Sequence, residues 1–300
     1  MAVLSPETPT NSLLAAHKPK RSSSRVWKAF KGNKKAWFGV VTLLLIILAA
    51  IFAPVLTSYP PQLIDMMSFQ VGPNSAHPLG TDSVGRDVWS RLLYGARVSL
   101  LVSLVAVTIN IVVGSLLGAV AGYFGGSVDQ IIMRISDSIL AFPLLILVIV
   151  AVAIWGSSLL NLVIVIGLMS WPSTARIVRG QVLSIRNEDY VAAATTIGAP
   201  RSRIIRAHIL PNTLAPIIVI ATFDAASIVL LEGSLSFLGL GVQPPNPSWG
   251  NMLSDAQSLV ILESMPWLWL PPGLAIALTV LSLNFLGDAL REAFDPTSHR

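Results

Sequence analysis

The chain has 300 residues, of which 53% are hydrophobic and only 12% charged, and its mean hydropathy is +0.71. A soluble globular domain carries about 25% charged residues, so this chain lacks the polar surface to be one and is expected to be an integral membrane protein. It has no cysteine, which excludes a disulfide framework, a thiolate metal site and a cysteine nucleophile. The net charge of +5 matters less than where the charges lie.

Residues 1–36 are polar, rich in Pro and Ser at first and then basic, with Lys18, Lys20, Arg21, Arg25, Lys28, Lys31, Lys34 and Lys35. The start is expected to be disordered, and the basic and aromatic stretch from Arg25 to Trp37 suits a helix lying along a membrane surface. A basic flank before a span is expected of any cytoplasmic terminus, so no nucleic-acid role is read into it. The apolar run 36–57 is near full span length and no small-residue cleavage site follows, so it reads as an anchor and not a cleaved signal peptide.

A polar loop is expected over 58–96, then spans near 98–121, 138–155, 158–178, 212–232 and 268–288, and a short tail over 289–300. With no water in the bilayer core, such segments must satisfy their backbone internally, so the expected fold is all-α with six transmembrane helices. Six spans put both termini on one side. On this arrangement seventeen Lys and Arg fall on the side of the termini and three (Arg86, Arg91 and Arg97) on the other. The bias places both termini and the polar stretch before residue 212 in the cytoplasm. Neither an internal repeat nor inverted symmetry is evident, which weighs against a secondary transporter built from inverted halves.

Residues 188–212, EDYVAAATTIGAPRSRIIRAHILPN, lie between two apolar runs yet are polar and patterned. Asn187 suits an N-cap, and Glu188 and Asp189 place negative charge at a helix start. Tyr190, Ala193, Ala194 and Ile197 fall at i, i+3, i+4 and i+7, one apolar stripe of mostly small residues. Gly198 suits the stop and Pro200 the first turn of a second helix carrying Arg201, Arg203 and Arg206, up to Leu210-Pro211. From the pattern alone, a stripe awaiting a partner and a hairpin lying on the bilayer with its arginines on lipid phosphates are equally good readings.

Elsewhere, HPLGTDSVGRDVWSRLLYGARVSL (77–100) mixes turn glycines with Asp82, Arg86, Asp87 and Arg91, which read first as partners bracing an outer loop. SLSFLGLGVQPPNPSWGNMLSDA (234–256) opens apolar but is too short to span, and its prolines cannot continue a helix. It is expected to dip into the outer membrane face and turn, as a connector or as a gate or docking surface. Asp224 lies mid-span and Glu232 at the outer end of the same span, and an intramembrane carboxylate hints at a water-lined path. Asp224 either faces that path and accepts a cationic group such as a peptide amino terminus, or is satisfied by a helix of a partner subunit; the second is favoured. Arg176 and Arg179 read as snorkelling anchors. No GxxxxGK[ST] or HExxH occurs and no nucleophile–base set stands out, so neither catalysis, nucleotide binding nor a metal site is expected in this chain.

Ala193-Ala194, Gly198 and Leu210-Pro211 match the spacing of the EAA loop in permease subunits of bacterial ABC importers. Ala192 stands at that family's glutamate position and His208 at its isoleucine position. The strings 77–100 and 234–256, with LNFLGDALREAFDP at 283–296, closely resemble the C-type permease of dipeptide and oligopeptide importers, over most of residues 25–296. The resemblance implies a type I ABC importer fold: a cytoplasmic tail (1–35), a first span (36–57), an extracytoplasmic loop (58–96), a permease core (97–288) and a tail (289–300). It implies a coupling loop at 188–211 that uses Glu188, Asp189, Tyr190, Ala193, Ala194, Gly198, Arg201, Leu210 and Pro211. It also implies a second permease subunit, two ATPase subunits holding ATP and Mg, an extracytoplasmic binding protein and a bacterial cytoplasmic membrane. Short peptides are the expected cargo; relatives that carry nickel complexes, glutathione or oligosaccharides are the alternatives, and an ion-coupled secondary transporter is the rival from another class.

Overall fold

The computed structural model describes residues 32–294, and every regular element among them is helical apart from an isolated bridge between Thr81 and Asp87. The interfacial helix expected over Arg25–Trp37 and the disordered start fall largely, and the end of the C-terminal tail wholly, outside the described residues. In chain order the main helices are α1 (Lys34–Ile51), α2 (Val88–Phe124), α3 (Gly126–Leu140), α4 (Leu144–Trp155), α5 (Leu159–Ile185) and α6 (Asp189–Thr196). They are followed by α7 (Arg201–Phe237), α8 (Trp249–Ser254), α9 (Leu259–Ser264) and α10 (Pro266–Phe294). Five are long and apolar enough to cross a membrane, and α3 with α4 makes a sixth if that bent pair counts as one span.

The third span is therefore not the straight helix expected over 138–155. Pro143 has no N–H to give and forces the residue before it out of the helical region. The chain breaks at Ala141–Pro143, and α3 and α4 meet at 87°. Residues 122–137, expected as a loop, supply most of α3. Arg179 holds Asp129 with two guanidinium nitrogens and Arg176 pairs with Asp137. The two arginines are thus clamps between α5 and α3, not snorkelling anchors.

Two helices outrun the bilayer core by the most. α2 and α7 each have 37 residues, about 56 Å of rise against a ~30 Å hydrocarbon core. α2 starts well before the expected residue 98 because Asp87 caps it, its side chain accepting from the Ser90 N–H at 2.7 Å. The charges that made this stretch look like loop are satisfied: Arg97 donates to the Ala50 and Ile51 carbonyls at the end of α1. α2 packs on α5 through Gly114, Gly118 and Gly122, where an added Cβ would meet Thr174, Ala175 and Val182 at 2.5–2.8 Å. Small residues permit this close approach between membrane helices. The apolar core joins α2, α4, α5 and α7 through Val102, Val148, Leu162, Ile166, Ile228 and Leu235.

The apolar SLSF of 234–237 completes the last turn of α7, so there is no separate dip into the outer face. The chain turns at Gly239, and the Ser248–Asn251 capping box starts α8, which folds back on the bundle. Trp249 is buried and donates its indole N–H to the Leu92 carbonyl at 3.1 Å. The segment thus connects α7 to α8 and lies against α2.

Candidate functional site: a patterned loop and a mid-span cleft

The loop at 188–211 forms two helical pieces at an angle set by one glycine. Glu188, not Asn187, is the N-cap of α6, and its side chain makes no capping bond. α6 ends in a Schellman motif: Gly198 N–H donates to Thr195 O, Ala199 N–H to Ala194 O, and Gly198 sits at φ +79°. Gly alone takes that backbone without steric cost. Pro200 is the N-cap of α7 and Arg201 its first residue, one position later than expected.

The stripe expected at Tyr190, Ala193, Ala194 and Ile197 is split. Ala194 turns inward with Val191, joining Ile204, Ile209, Val178 and Val182 in an apolar cluster that fixes the loop to α2, α5 and α7. Tyr190, Ala193 and Ile197 stay outside, with Ile197 84% exposed. Val191 and Ala194 lie at i and i+3 on the buried face, and Tyr190, Ala193 and Ile197 at i, i+3 and i+7 on the flank beside it, left exposed. Exposure of both Glu188 and Asp189 leaves the start of α6 negative and open.

Leu210-Pro211 has a structural role at the junction with α7. Pro211 cannot donate a helical hydrogen bond, and the turn just before it, Ile205–Ile209, is π-helical. A π turn absorbs the missing bond without breaking the rod. His208 lies in this turn with its ring 6.2 Å from that of Tyr190. Asn212 donates to the His208 carbonyl at 2.6 Å and to the Tyr190 hydroxyl at 3.3 Å, tying α6 to α7. Arg201 lies over the Phe124 ring at 5.6 Å. Arg203 and Arg206 are exposed and have no carboxylate partner among the described residues.

Midway along α7, Asp224 lines a cleft of about 300 Å³. Its walls are Asn110 of α2, Phe142 and Leu147 beside the α3–α4 bend, Met169, Ser170 and Ser173 of α5, and Ser227 and Leu231 of α7. One carboxylate oxygen, Oδ2, accepts from Asn110 Nδ2 at 2.7 Å, and the single hydroxyl proton of Thr174 is shared between Asn110 Oδ1 at 2.9 Å and Asp224 Oδ2 at 3.3 Å. The donors come from this chain's own α2 and α5, not from a partner subunit as the favoured reading had it. Both Asn110 and Thr174 are fully buried. Sequence reasoning passed over them, although polar side chains in the middle of two apolar spans are the available signal.

Glu232 is not on this cleft. It is 1% exposed and accepts from Ser99 Oγ at 2.9 Å and Ser236 Oγ at 2.7 Å. Ser236 Oγ in turn receives the Val242 N–H, so the carboxylate locks the turn after α7 onto α2 and α7.

At the opposite end from the patterned loop, the charges of the 77–100 segment pair with the 234–256 segment. Arg86 bonds Asp82 and Asp255, and the buried Arg91 lies 3.5 Å from Asp82 and 3.2 Å from Asp255. Burial pushes the Asp255 carboxyl above its usual range, against the pull of Arg91 and Arg86. His77 meets Asp87 at 2.9 Å. This is the self-bracing expected of the outer loop, extended to a second segment.

Comparison with known proteins agrees with this architecture. Residues 114–300 match the family described as binding-protein-dependent transport system inner membrane component, and residues 23–76 match the N-terminal transmembrane domain of oligopeptide transport permease C. A dipeptide transport system permease of Alkalihalophilus pseudofirmus is 46% identical over 270 residues, 90% of this chain and 88% of that one. An oligopeptide transport system permease of Bacillus subtilis is 38% identical over 94% of this chain and 93% of its own length. A glutathione transport system permease of Pectobacterium atrosepticum is 41% identical over 90% and 89%. With its membrane-length helices and a family match over more than half its length, the chain belongs to the binding-protein-dependent transport system inner membrane components.

Proposed function

We propose that the chain is the permease subunit of an ATP-driven importer of short peptides, lying in a bacterial cytoplasmic membrane with both termini and the 188–211 loop in the cytoplasm. It forms half of a translocation path with a second, related permease. Two ATPase subunits, which hold ATP and Mg, bind on the cytoplasmic side, this chain engaging an ATPase through α6, and an extracytoplasmic binding protein delivers cargo at the other end. The chain itself catalyses nothing and binds no nucleic acid.

The observation that carries this reading is the two-faced α6. Val191 and Ala194 fasten it to the bundle while Tyr190, Ala193 and Ile197 present an apolar strip beside three arginines. An exposed apolar strip on an anchored helix suits a groove in another protein. A push on α6 passes through the Tyr190–Asn212 contact and the Ile204–Ile209 packing into α7. That single helix runs from Arg201 past Asp224 to the Glu232 lock, so movement at one end reaches the cleft as a rigid-body displacement.

Peptide cargo rests on the relatives' dipeptide and oligopeptide names. Glutathione is the second reading, resting on the relative of that name. Gentle detergent purification from the native membrane tests the assembly. Recovery of a second permease, P-loop ATPases and a binding protein is the expected result, and ligand analysis of that binding protein separates the two cargoes. A chain recovered alone that still transports under an ion gradient would replace this reading with a secondary transporter.

A further inference from the structure

We propose that Asp224 is the point in the translocation path that recognises the amino terminus of the travelling peptide. The inference rests on the importer reading above and assigns a ligand chemistry to one wall of its cleft.

The two carboxylate oxygens have different surroundings. Oδ2 accepts from Asn110 Nδ2 and lies 3.3 Å from the Thr174 hydroxyl, whose proton it shares with Asn110; both neighbours are neutral, fully buried and on two other spans. Oδ1 receives no hydrogen bond from any described residue and is the oxygen left for an occupant of the cleft. The tether orients the side chain and brings no positive charge to it, because neither neighbour is charged.

Among the residues lining the cleft, Asp224 is the one ionisable side chain, and the remaining walls are apolar except for Asn110, Ser170, Ser173 and Ser227. Ser170 and Ser227 already donate to the Ile166 and Phe223 carbonyls of their own helices. Their oxygens therefore keep acceptor capacity toward the cleft. A lone carboxylate with surrounding acceptors suits a group that has positive charge and several N–H donors. A primary ammonium has three donors and one charge.

A divalent cation fits less well, since no group of three His, Asp or Glu side chains exists among the described residues. A peptide's carboxylate end is repelled by the same charge, and both effects are strengthened in an apolar surround. The cleft volume of about 300 Å³ is at the lower end of small-molecule sites. A peptide would therefore lie with its amino terminus at Asp224 and the rest of its length toward the second permease. A site of one charge contact holds cargo against return to the binding protein without trapping it, as a path requires.

The test uses the whole transporter in proteoliposomes with saturating, peptide-loaded binding protein, and reads both peptide taken up and ATP hydrolysed. Asp224→Asn keeps an acceptor for Asn110 and Thr174 but removes the charge. Its expected effect is a fall of about tenfold in peptide imported per ATP, the scale of one charged hydrogen bond, with binding-protein-stimulated hydrolysis retained. Asp224→Glu is expected to recover a substantial part of the ratio. An unchanged ratio in Asp224→Asn overturns the proposal. So does loss of hydrolysis along with uptake in both variants, which assigns Asp224 to bracing α2, α5 and α7. Absence of ATP-driven peptide uptake by the wild-type complex fails at an earlier step, and removes the importer reading itself.

Discussion

The two ends of the helix bundle treat their charges and glycines in opposite ways. At the end capped by residues 57–87, Asp82, Arg86, Arg91 and Asp255 close on one another, and His77 closes on Asp87. Gly85 there sits at φ +80°, where an added Cβ would overlap the Asp65 carbonyl. At the end carrying α6, Arg203 and Arg206 are exposed, Ile197 is 84% exposed, and Gly198 at φ +79° has nothing within 4 Å of where a Cβ would stand. The first end pairs its charged groups within the chain, although Arg91 Nη1 is buried there without a hydrogen-bond partner. The second has the composition of a surface to be completed by another protein.

That contrast orders the expected effects of substitution on stability. Gly85→Ala is the largest, because left-handed backbone and a direct overlap with a carbonyl act together; about 3 kcal/mol or more is expected. The monodisperse fraction in detergent should collapse. Arg91→Met comes next. It leaves Asp82 and Asp255 with Arg86 as their cation, so the expected cost is below the about 3 kcal/mol of breaking a buried ion pair outright. A lowered melting temperature of the purified complex is the readout, and a wild-type value would show that the outer brace is solvated.

Gly198→Val is expected to cost only about 1–2 kcal/mol, since the strain is in the backbone and the surrounding space is empty. Its functional effect is expected to be much greater than its cost in stability: the angle between α6 and α7 shifts, and ATP-driven uptake falls while the chain still inserts. Wild-type uptake in that variant would count against α6 as a lever. Ile197→Asp should change stability by less than about 0.5 kcal/mol, as an exposed position does. The same substitution should release the ATPases, measured by co-purification. Gly85→Ala and Arg91→Met therefore act through folding, whereas Gly198→Val and Ile197→Asp act on coupling in a chain that still folds, and a variant that crosses between these two groups breaks the comparison.

Much of this was legible in the sequence where residue chemistry acts locally. Apolar run length located the spans, and Gly198 and Leu210-Pro211 located the turn and the junction of the patterned loop. What was missed depends on distance in space. The α3–α4 bend hangs on Pro143, which is visible, but the amphipathic α3 was hidden because its Asp129 and Asp137 find Arg179 and Arg176 on another helix. The start of α2 was misplaced for the same reason, its arginines being satisfied from α1 and from Asp255. The stripe at 190–197 was right in period but not in face. Periodicity cannot tell Ala193 from Ala194 until the cluster around Ile204 and Ile209 chooses which one is covered. Asp224 was seen, whereas Asn110 and Thr174 were not, since nothing local marks them as its donors.

The absence of cysteine makes the central claim directly measurable. A single Cys placed at 197, or at the inward-facing 194 as control, carries the only thiol of the chain. With a short thiol–amine cross-linker in native membranes, Ile197→Cys is expected to trap a P-loop ATPase subunit, and Ala194→Cys is not. Equal labelling of both positions by a small thiol reagent, with no ATPase captured at 197, would contradict the account of α6 as the docking helix.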